Sequence, residues 1–251
     1  MPDHDFKAPR LHLVDPIAAG VPIEPEAGQL NYLLNVLRLD EGDAVLVFDG
    51  RNGEWRATIR REGKKRLRLV PEAQTRPQTP AADLLYLFAP LKSARLDYMA
   101  QKAVEMGAGV LQPVLTQHTQ APRLNVERLA ANAREAAEQC GILALPECRA
   151  PVRLETLLGG WDGARTLIFC DERAPEGDAV AALRPLRGRP LALLIGPEGG
   201  FSAAERALLL DLPFTRTISL GPRILRADTA AVAALAVLQA AAGDWTGTAA
   251  P

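Results

Sequence analysis

The sequence predicts an α/β protein, with a small β-rich unit ahead of a larger domain built on a mostly parallel sheet. Three observations carry this. From residue 84 onward, apolar runs of strand length alternate with runs of helical spacing. The run LALLI at 191–195 is short and wholly apolar, as befits a strand buried on both faces. Between 10 and 72, half-polar alternating runs are broken by Asp49-Gly50 and Asn52-Gly53, which are hairpin signals.

At 251 residues the chain can hold one large domain or two. Charged residues are 24% and hydrophobic ones 48%, which is the balance of a globular protein and not of a disordered one. A net charge of −1 excludes a globally basic nucleic-acid binder but leaves room for a local basic face. Three cysteines, Cys140, Cys148 and Cys170, with no CxxC pair, argue against a disulfide framework or a zinc site and for a reducing cytoplasm. His4, His12 and His118 are scattered, so no metal is expected. The polar N-terminus reads as no signal peptide. No apolar run reaches the roughly 20 residues of a membrane span, so no membrane partner is expected.

Taken in order, 10–14 (RLHLV) is a first strand and 31–39 (NYLLNVLRL) a short helix by its spacing. Residues 40–43 form a turn and 44–48 an apolar strand, and 55–61 and 65–70 are half-exposed strands. Eight basic residues from Arg51 to Arg68, Lys64 and Lys65 among them, face only Glu54 and Glu62. They are either a solvated face or, gathered on one side of a hairpin, a footprint for phosphates. Residues 73–81 (AQTRPQTPA) are polar and proline-bearing, and read as a linker.

Residues 84–89 are a buried strand. A helix follows to about Met106, with Ser93 as its N-cap and Leu96, Met99, Ala103 and Met106 toward a core. After a strand at 110–115, Thr116-Gln117-His118-Thr119 is a polar loop bordering any site at that strand's end. His118 could act as a base, although a lone surface histidine is more often idle. Asn125 caps a helix to about Cys140, with Leu129, Ala133, Ala136 and Cys140 on one side. The strand at 166–170 runs into Asp171-Glu172-Arg173, and a helix ends near Leu183.

LALLI leads into Gly196-Pro197-Glu198-Gly199-Gly200-Phe201. Ser202 and Glu205 then have capping-box spacing, for a helix to about Leu210. The stretch LGPRILRADT at 220–229 opens on a turn-forming Gly-Pro pair. It ends in Asp228-Thr229, either of which can cap the apolar helix that closes at Gly243. Ligands of open α/β sheets sit outside the carboxyl ends of the strands, and glycine lets main chain approach them. Each loop alone could be only a tight turn. Together they mark a site, because Glu198, Arg223, Arg226 and Asp228 crowd into segments that otherwise read as core.

The pair IGPEGGFSAAE (195–205) and LGPRILRADTA (220–230) closely resembles the C-terminal motifs of the ribosomal RNA small subunit methyltransferase E family, in the SPOUT superfamily of trefoil-knotted methyltransferases. LKSARLDYMAQKAVEMG, REAAEQCG and NYLLNVLRLDEGDAVLVFDG are similar to further family segments. The chain departs at Asn31-Tyr32, where relatives often carry histidines, and at Ile142, where they often carry arginine. The likeness spans roughly residues 10–243. It implies a PUA-like β-barrel RNA-binding domain over 1–75 and a knotted SPOUT α/β domain over 76–251. It also implies S-adenosylmethionine-dependent methylation of a uridine N3 in 16S ribosomal RNA, naked or in the assembled small subunit, by a cytoplasmic homodimer.

On that resemblance the donor is expected against Leu194, Ile195, Gly196, Pro197, Glu198, Gly199 and Gly200 of the first loop. The second loop would add Leu220, Gly221, Ile224, Leu225, Arg226 and Thr229. Uridine N3 must lose a proton to attack, so a base and a cationic stabiliser are wanted. Arg226 is the candidate cation, and Glu138 or Glu198 the base. Either carboxylate reads equally well as a structural partner. Arg10, Arg38, Arg56, Arg60, Lys92 and Arg223 are expected on the RNA. Rival readings are a SPOUT enzyme acting on transfer RNA and a non-catalytic RNA-binding assembly factor. A nucleotide-dependent oxidoreductase lacks the early GxGxxG loop it would need.

Overall fold

The computed structural model describes residues 8–63, 66–121 and 123–246, so His4, Lys64 and Lys65 lie outside the described residues. Among the described residues no helix is long and apolar enough to cross a membrane, and no group of His, Cys, Asp and Glu could hold a metal ion. The chain divides into two units. One runs to Ala81 and includes Ala137–Leu145, and the other holds Ala82–Ala136 and the residues from Pro146 on.

In the first unit, β1 (Arg10–His12), β2 (Ala44–Phe48), β3 (Glu54–Arg61) and β4 (Leu67–Arg76) form a sheet in chain order. β1 runs parallel to β2, and the other two pairings are antiparallel. Period-two alternation sends Val45, Val47, Ala57, Ile59, Leu67 and Leu69 into one core with Leu11 and Leu33. Burying each such aliphatic side chain contributes about 1.5–3 kcal/mol. The same alternation leaves Arg56, Arg60 and Arg66 exposed.

The helix expected over 31–39 starts earlier, as α1 (Ala27–Asn31), and continues as a π-helical turn, Tyr32–Val36. It stops before Arg38, whose φ of 56° is left-handed, the only such non-glycine among the described residues. Glu54, 3% exposed, accepts bonds from Arg76 Nε (3.0 Å) and Nη2 (2.7 Å) and from Arg10 Nε (2.6 Å). Arg76 therefore pins the end of β4, and the segment expected as linker from Ala73 is strand as far as Arg76. Burial alone would raise the Glu54 carboxyl, but the Arg76 and Arg10 hydrogen bonds outweigh it and bring it down to about 2. Its folded value lies below its unfolded one. The stability it contributes is therefore complete above the ordinary carboxylate range and is lost as pH falls toward 2. Arg10, expected on RNA, instead turns inward to this carboxylate.

The second unit holds β5 (Leu84–Phe88), β6 (Val110–Leu115), β7 (Glu147–Cys148), β8 (Val152–Arg153), β9 (Thr166–Cys170), β10 (Leu191–Ile195) and β11 (Thr215–Ile218). The sheet order is β11-β9-β10-β5-β6-β7, with β8 also on β6, and every pairing is parallel. The helices are α2 (Ser93–Glu105), α3 (Val126–Cys140, whose residues from Ala137 on count with the first unit), α4 (Leu154–Gly159), α5 (Ala179–Leu183), α6 (Ala203–Asp211) and α7 (Ala227–Ala241). Leu87, Leu167, Phe169, Ala192 and Leu194 form a core with Phe201 and Leu209.

Several local expectations need correction. α2 begins at Ser93, so the cap position falls on Lys92. Its buried face is Met99, Ala100, Ala103 and Val104, while Leu96 and Met106 are half-buried. Asn125 caps α3 as expected, accepting from the Arg128 amide at 3.0 Å. At the other end of that helix Cys140 is exposed and Ala137 is buried. Asp228 and Thr229 do not cap α7 but lie in its first turn, and Arg226 holds the cap position. β7, β8 and α4 were not expected, since two-residue strands and a six-residue helix are too short to show a period.

Candidate active site

β10, β9 and β11 are adjacent and parallel, so their carboxyl ends open on one edge of the sheet. The register sets Ile218 beside Cys170, and Leu194 beside Phe169. The loops that leave these three strands surround a cavity of about 560 Å³. Arg95 of α2 and Ala227 and Ala230 of α7 complete its wall. Pockets for small organic ligands run from about 300 to 1,000 Å³.

The loop after β10 is a braced bend. A Cβ on Gly196 would meet Phe201 Cε2 at 2.5 Å, so only glycine lets that ring close over the strand end. Phe201 in turn stands edge-on to Phe169, at 5.1 Å and 88°. The Gly200 amide donates to the Pro197 carbonyl at 2.9 Å, with Gly200 at φ +68°. A Cβ on Gly200 would meet Glu172 Oε1 at 2.5 Å. The expected capping box of α6 is present: Glu205 Oε2 accepts from the Ser202 amide at 2.9 Å, and Ser202 Oγ from the Glu205 amide at 3.3 Å. The other Glu205 oxygen accepts from the Gln117 amide at 2.7 Å. His118 Nδ1 lies 3.0 Å from the Gly200 carbonyl oxygen and 3.2 Å from that of Gly199. The 116–119 loop thus meets the bend and the start of α6 through His118 and Gln117, although none of that loop lines the cavity.

The loop after β11 is open by contrast. Gly221 has φ +98°, and nothing would lie within 4 Å of a Cβ there. Arg223 and Arg226 are exposed, and Ile224, expected as apolar lining, is 95% exposed at the cavity rim.

Charge on the wall is mixed. Arg95 is bonded to Glu198, and its Nε lies 3.9 Å from Asp228 Oδ2. All three side chains keep some exposure, so the cluster orients more than it stabilises. Asp171 is 5% exposed and accepts from Arg206 Nε at 2.8 Å and from the Arg173 amide at 3.0 Å. The hydrogen bond from Arg206 to the Asp171 carboxylate raises the Arg206 guanidinium above its ordinary value. Burial pushes the Cys170 thiol up to about 12, so it is a neutral part of the wall.

Among the residues expected on a donor, Ile195, Gly196, Pro197, Glu198 and Gly200 line the cavity from one bend. Leu220, Gly221, Ile224, Leu225 and Arg226 line it from the other, together with Arg223. Leu194 does not, because alternation along β10 turns it into the core. Gly199 and Thr229 are not on the wall either. Glu138 belongs to the first unit, where its carboxylate accepts from the His12 amide at 2.8 Å. Arg38, Arg56 and Arg60 are exposed on the first unit, and Lys92 is exposed before α2.

Sequence reasoning missed Arg95, the third loop with Asp171, Glu172 and Arg173, and Arg206, the partner of Asp171. Two signals stood in the sequence. A charged triplet follows an apolar strand directly, and Arg95 puts a cation in the first turn of a helix, where the dipole disfavours it.

The family described as RNA methyltransferase domain matches residues 77–239, and the RNA methyltransferase PUA domain matches 26–72. The chain is 33% identical over 216 residues to the ribosomal RNA small subunit methyltransferase E of Synechocystis, covering 84% of this chain and 71% of that one. It is 29% identical over 233 residues to the protein of the same name from Rickettsia conorii, covering 92% and 95%. A methyltransferase from Legionella pneumophila, solved with its bound cofactor SAM, is similar in structure with a TM-score of 0.81 at 29% identity, over 95% of this chain and 99% of that one.

Proposed function

We propose a function from one premise: the chain belongs to the ribosomal RNA small subunit methyltransferase E family. It is an S-adenosylmethionine-dependent methyltransferase of small-subunit ribosomal RNA, and our finer reading is that it methylates N3 of a uridine in 16S RNA. We read the working form as a cytoplasmic homodimer, with a PUA-like RNA-binding domain over 1–75 and the methyltransferase domain over 76–251. The observation that carries the donor site is that the bends after β10 and β11 line one cavity of suitable size.

The residues present suit such a donor. Ile195, Ile218 and the neutral Cys170 thiol offer apolar wall, and the two bends offer main-chain donors and acceptors. Glu172, Glu176 and Glu198 can face a cationic sulfonium, and the exposed Arg223 and Arg226 offer cations to an anionic RNA. When bound, S-adenosylmethionine supplies a methyl group already activated by its sulfonium. The protein's work is therefore alignment of the two reactants.

At the acceptor, N3 must shed its proton as the bond to carbon forms. Arg226 stabilises the negative charge that develops on the uracil. Glu198, on the cavity wall, is our candidate to receive the proton. Glu138 is set aside, since it is not on the cavity wall.

Methylation at N3 removes the proton donor used in base pairing, so it stops reverse transcription at the modified base. Purified protein with S-adenosylmethionine should create one such stop in 16S RNA from a strain lacking the gene, either naked or as small subunits. No stop and no label transfer beside a working control would overturn the reading. A stop only in transfer RNA would move the substrate. Arg226→Ala should lose far more turnover than donor affinity, and equal losses would make Arg226 a donor-binding residue.

A further inference from the structure

His118 is exposed and stands off the cavity wall, yet its Nδ1 contacts two carbonyl oxygens of the bend that is on the wall, at 3.0 and 3.2 Å. Carbonyl oxygens only accept, so Nδ1 carries the proton and the neutral ring is the Nδ1–H tautomer. The ring has a rigid seat. Thr119 Oγ1 accepts from the Thr116 amide at 2.8 Å, and the Gln117 amide donates to Glu205 at 2.7 Å. Glu205 is also the carboxylate of the capping box that opens α6, directly after the bend. Gly199 leaves room for the ring, since a Cβ there would meet His118 Cβ at 3.3 Å.

A trans peptide is planar, with its N–H opposed to its C=O. Pinning the Gly199 and Gly200 carbonyls toward His118 therefore aims the Gly200 and Phe201 amides away from it. The Gly200 amide is taken by Pro197, and Gly200 and Phe201 both line the cavity. We propose that His118 is a positioning residue for the donor site, holding the peptides of the 199–201 bend in their binding orientation from the side away from the donor. The proposal rests on the reading of the cavity as a donor site.

Calorimetric titration of the full chain with S-adenosylmethionine tests it, using His118→Ala, His118→Asn and His118→Gln. Losing a net hydrogen bond of about 0.5–1.5 kcal/mol predicts roughly two- to tenfold weaker binding for His118→Ala. Asparagine puts an amide N–H close to the Nδ1 position and should restore binding, whereas glutamine, whose amide lies nearer Nε2, should not. A second readout needs no donor: amide exchange at Gly200 and Phe201 in the free protein should quicken in His118→Ala and recover in His118→Asn. Wild-type binding in His118→Ala would overturn the proposal and spare the donor reading. So would three equally weak variants, which would mean that His118 only fills space. No binding by the wild type would sink the donor reading, and this proposal with it.

Discussion

The two bends that share the cavity are built in opposite ways. The bend after β10 is held from every side: Phe201 closes over Gly196, Glu172 touches Gly200, His118 meets two carbonyls, and Ser202 and Glu205 cap the helix that follows. The bend after β11 has an unoccupied space beside Gly221, an almost fully exposed Ile224, and a helix start whose cap residue, Arg226, makes no side-chain cap bond. One half of the cavity wall is packed against its neighbours and the other half is open to solvent. A preformed half lowers the ordering cost of a small ligand, while an open half can close on a larger one. On the proposed function both bends line the donor cavity, and the open one also presents the exposed Arg223 and Arg226 to the RNA.

Mutations can break this contrast, from large effects to small. Gly196→Ala forces the Phe201 ring off Phe169 and should cost about 1–3 kcal/mol, with donor binding lost as well. Chemical denaturation and calorimetry read both. Normal donor affinity would show that the bend is not braced for binding. Glu205→Ala removes the carboxylate half of the α6 capping box and the Gln117 anchor together, leaving the Ser202 cap in place, and should cost about 2 kcal/mol in the same denaturation assay. In the open bend, Gly221→Ala meets no neighbour and pays only for a left-handed φ, about 1 kcal/mol. Ile224→Ala should change stability by less than about 0.5 kcal/mol while lowering turnover on RNA. A loss above about 1 kcal/mol there would show that a second copy of the chain covers this rim in solution.

The contrast also separates what could be read in advance from what could not. LALLI announced β10 because every residue in it is buried, and a strand covered on both faces needs no polar position. The Ser202–Glu205 spacing announced the start of α6, since a capping box is a local device satisfied within one turn. The same local logic failed at Asp228-Thr229. There two eligible caps stood side by side, and the helix began before either. Arg10 was misread for the converse reason: nothing near it in sequence reveals that Glu54, far along the chain, takes its guanidinium.

The glycine-rich wording of the two loops, the strands that feed them and the helices that leave them were set by short-range chemistry, and short-range chemistry is written in consecutive residues. Which loops meet is another matter. β9 lies between β10 and β11 in the sheet, though it comes before both in the chain, so the third loop with Asp171 and Glu172 joins the site only once the parallel strands have been ordered. Arg95 reaches Glu198, and His118 reaches Gly200, across about a hundred residues and about eighty respectively, by the same packing. Contacts of that range depend on strand order and register, and only the folded chain decides those.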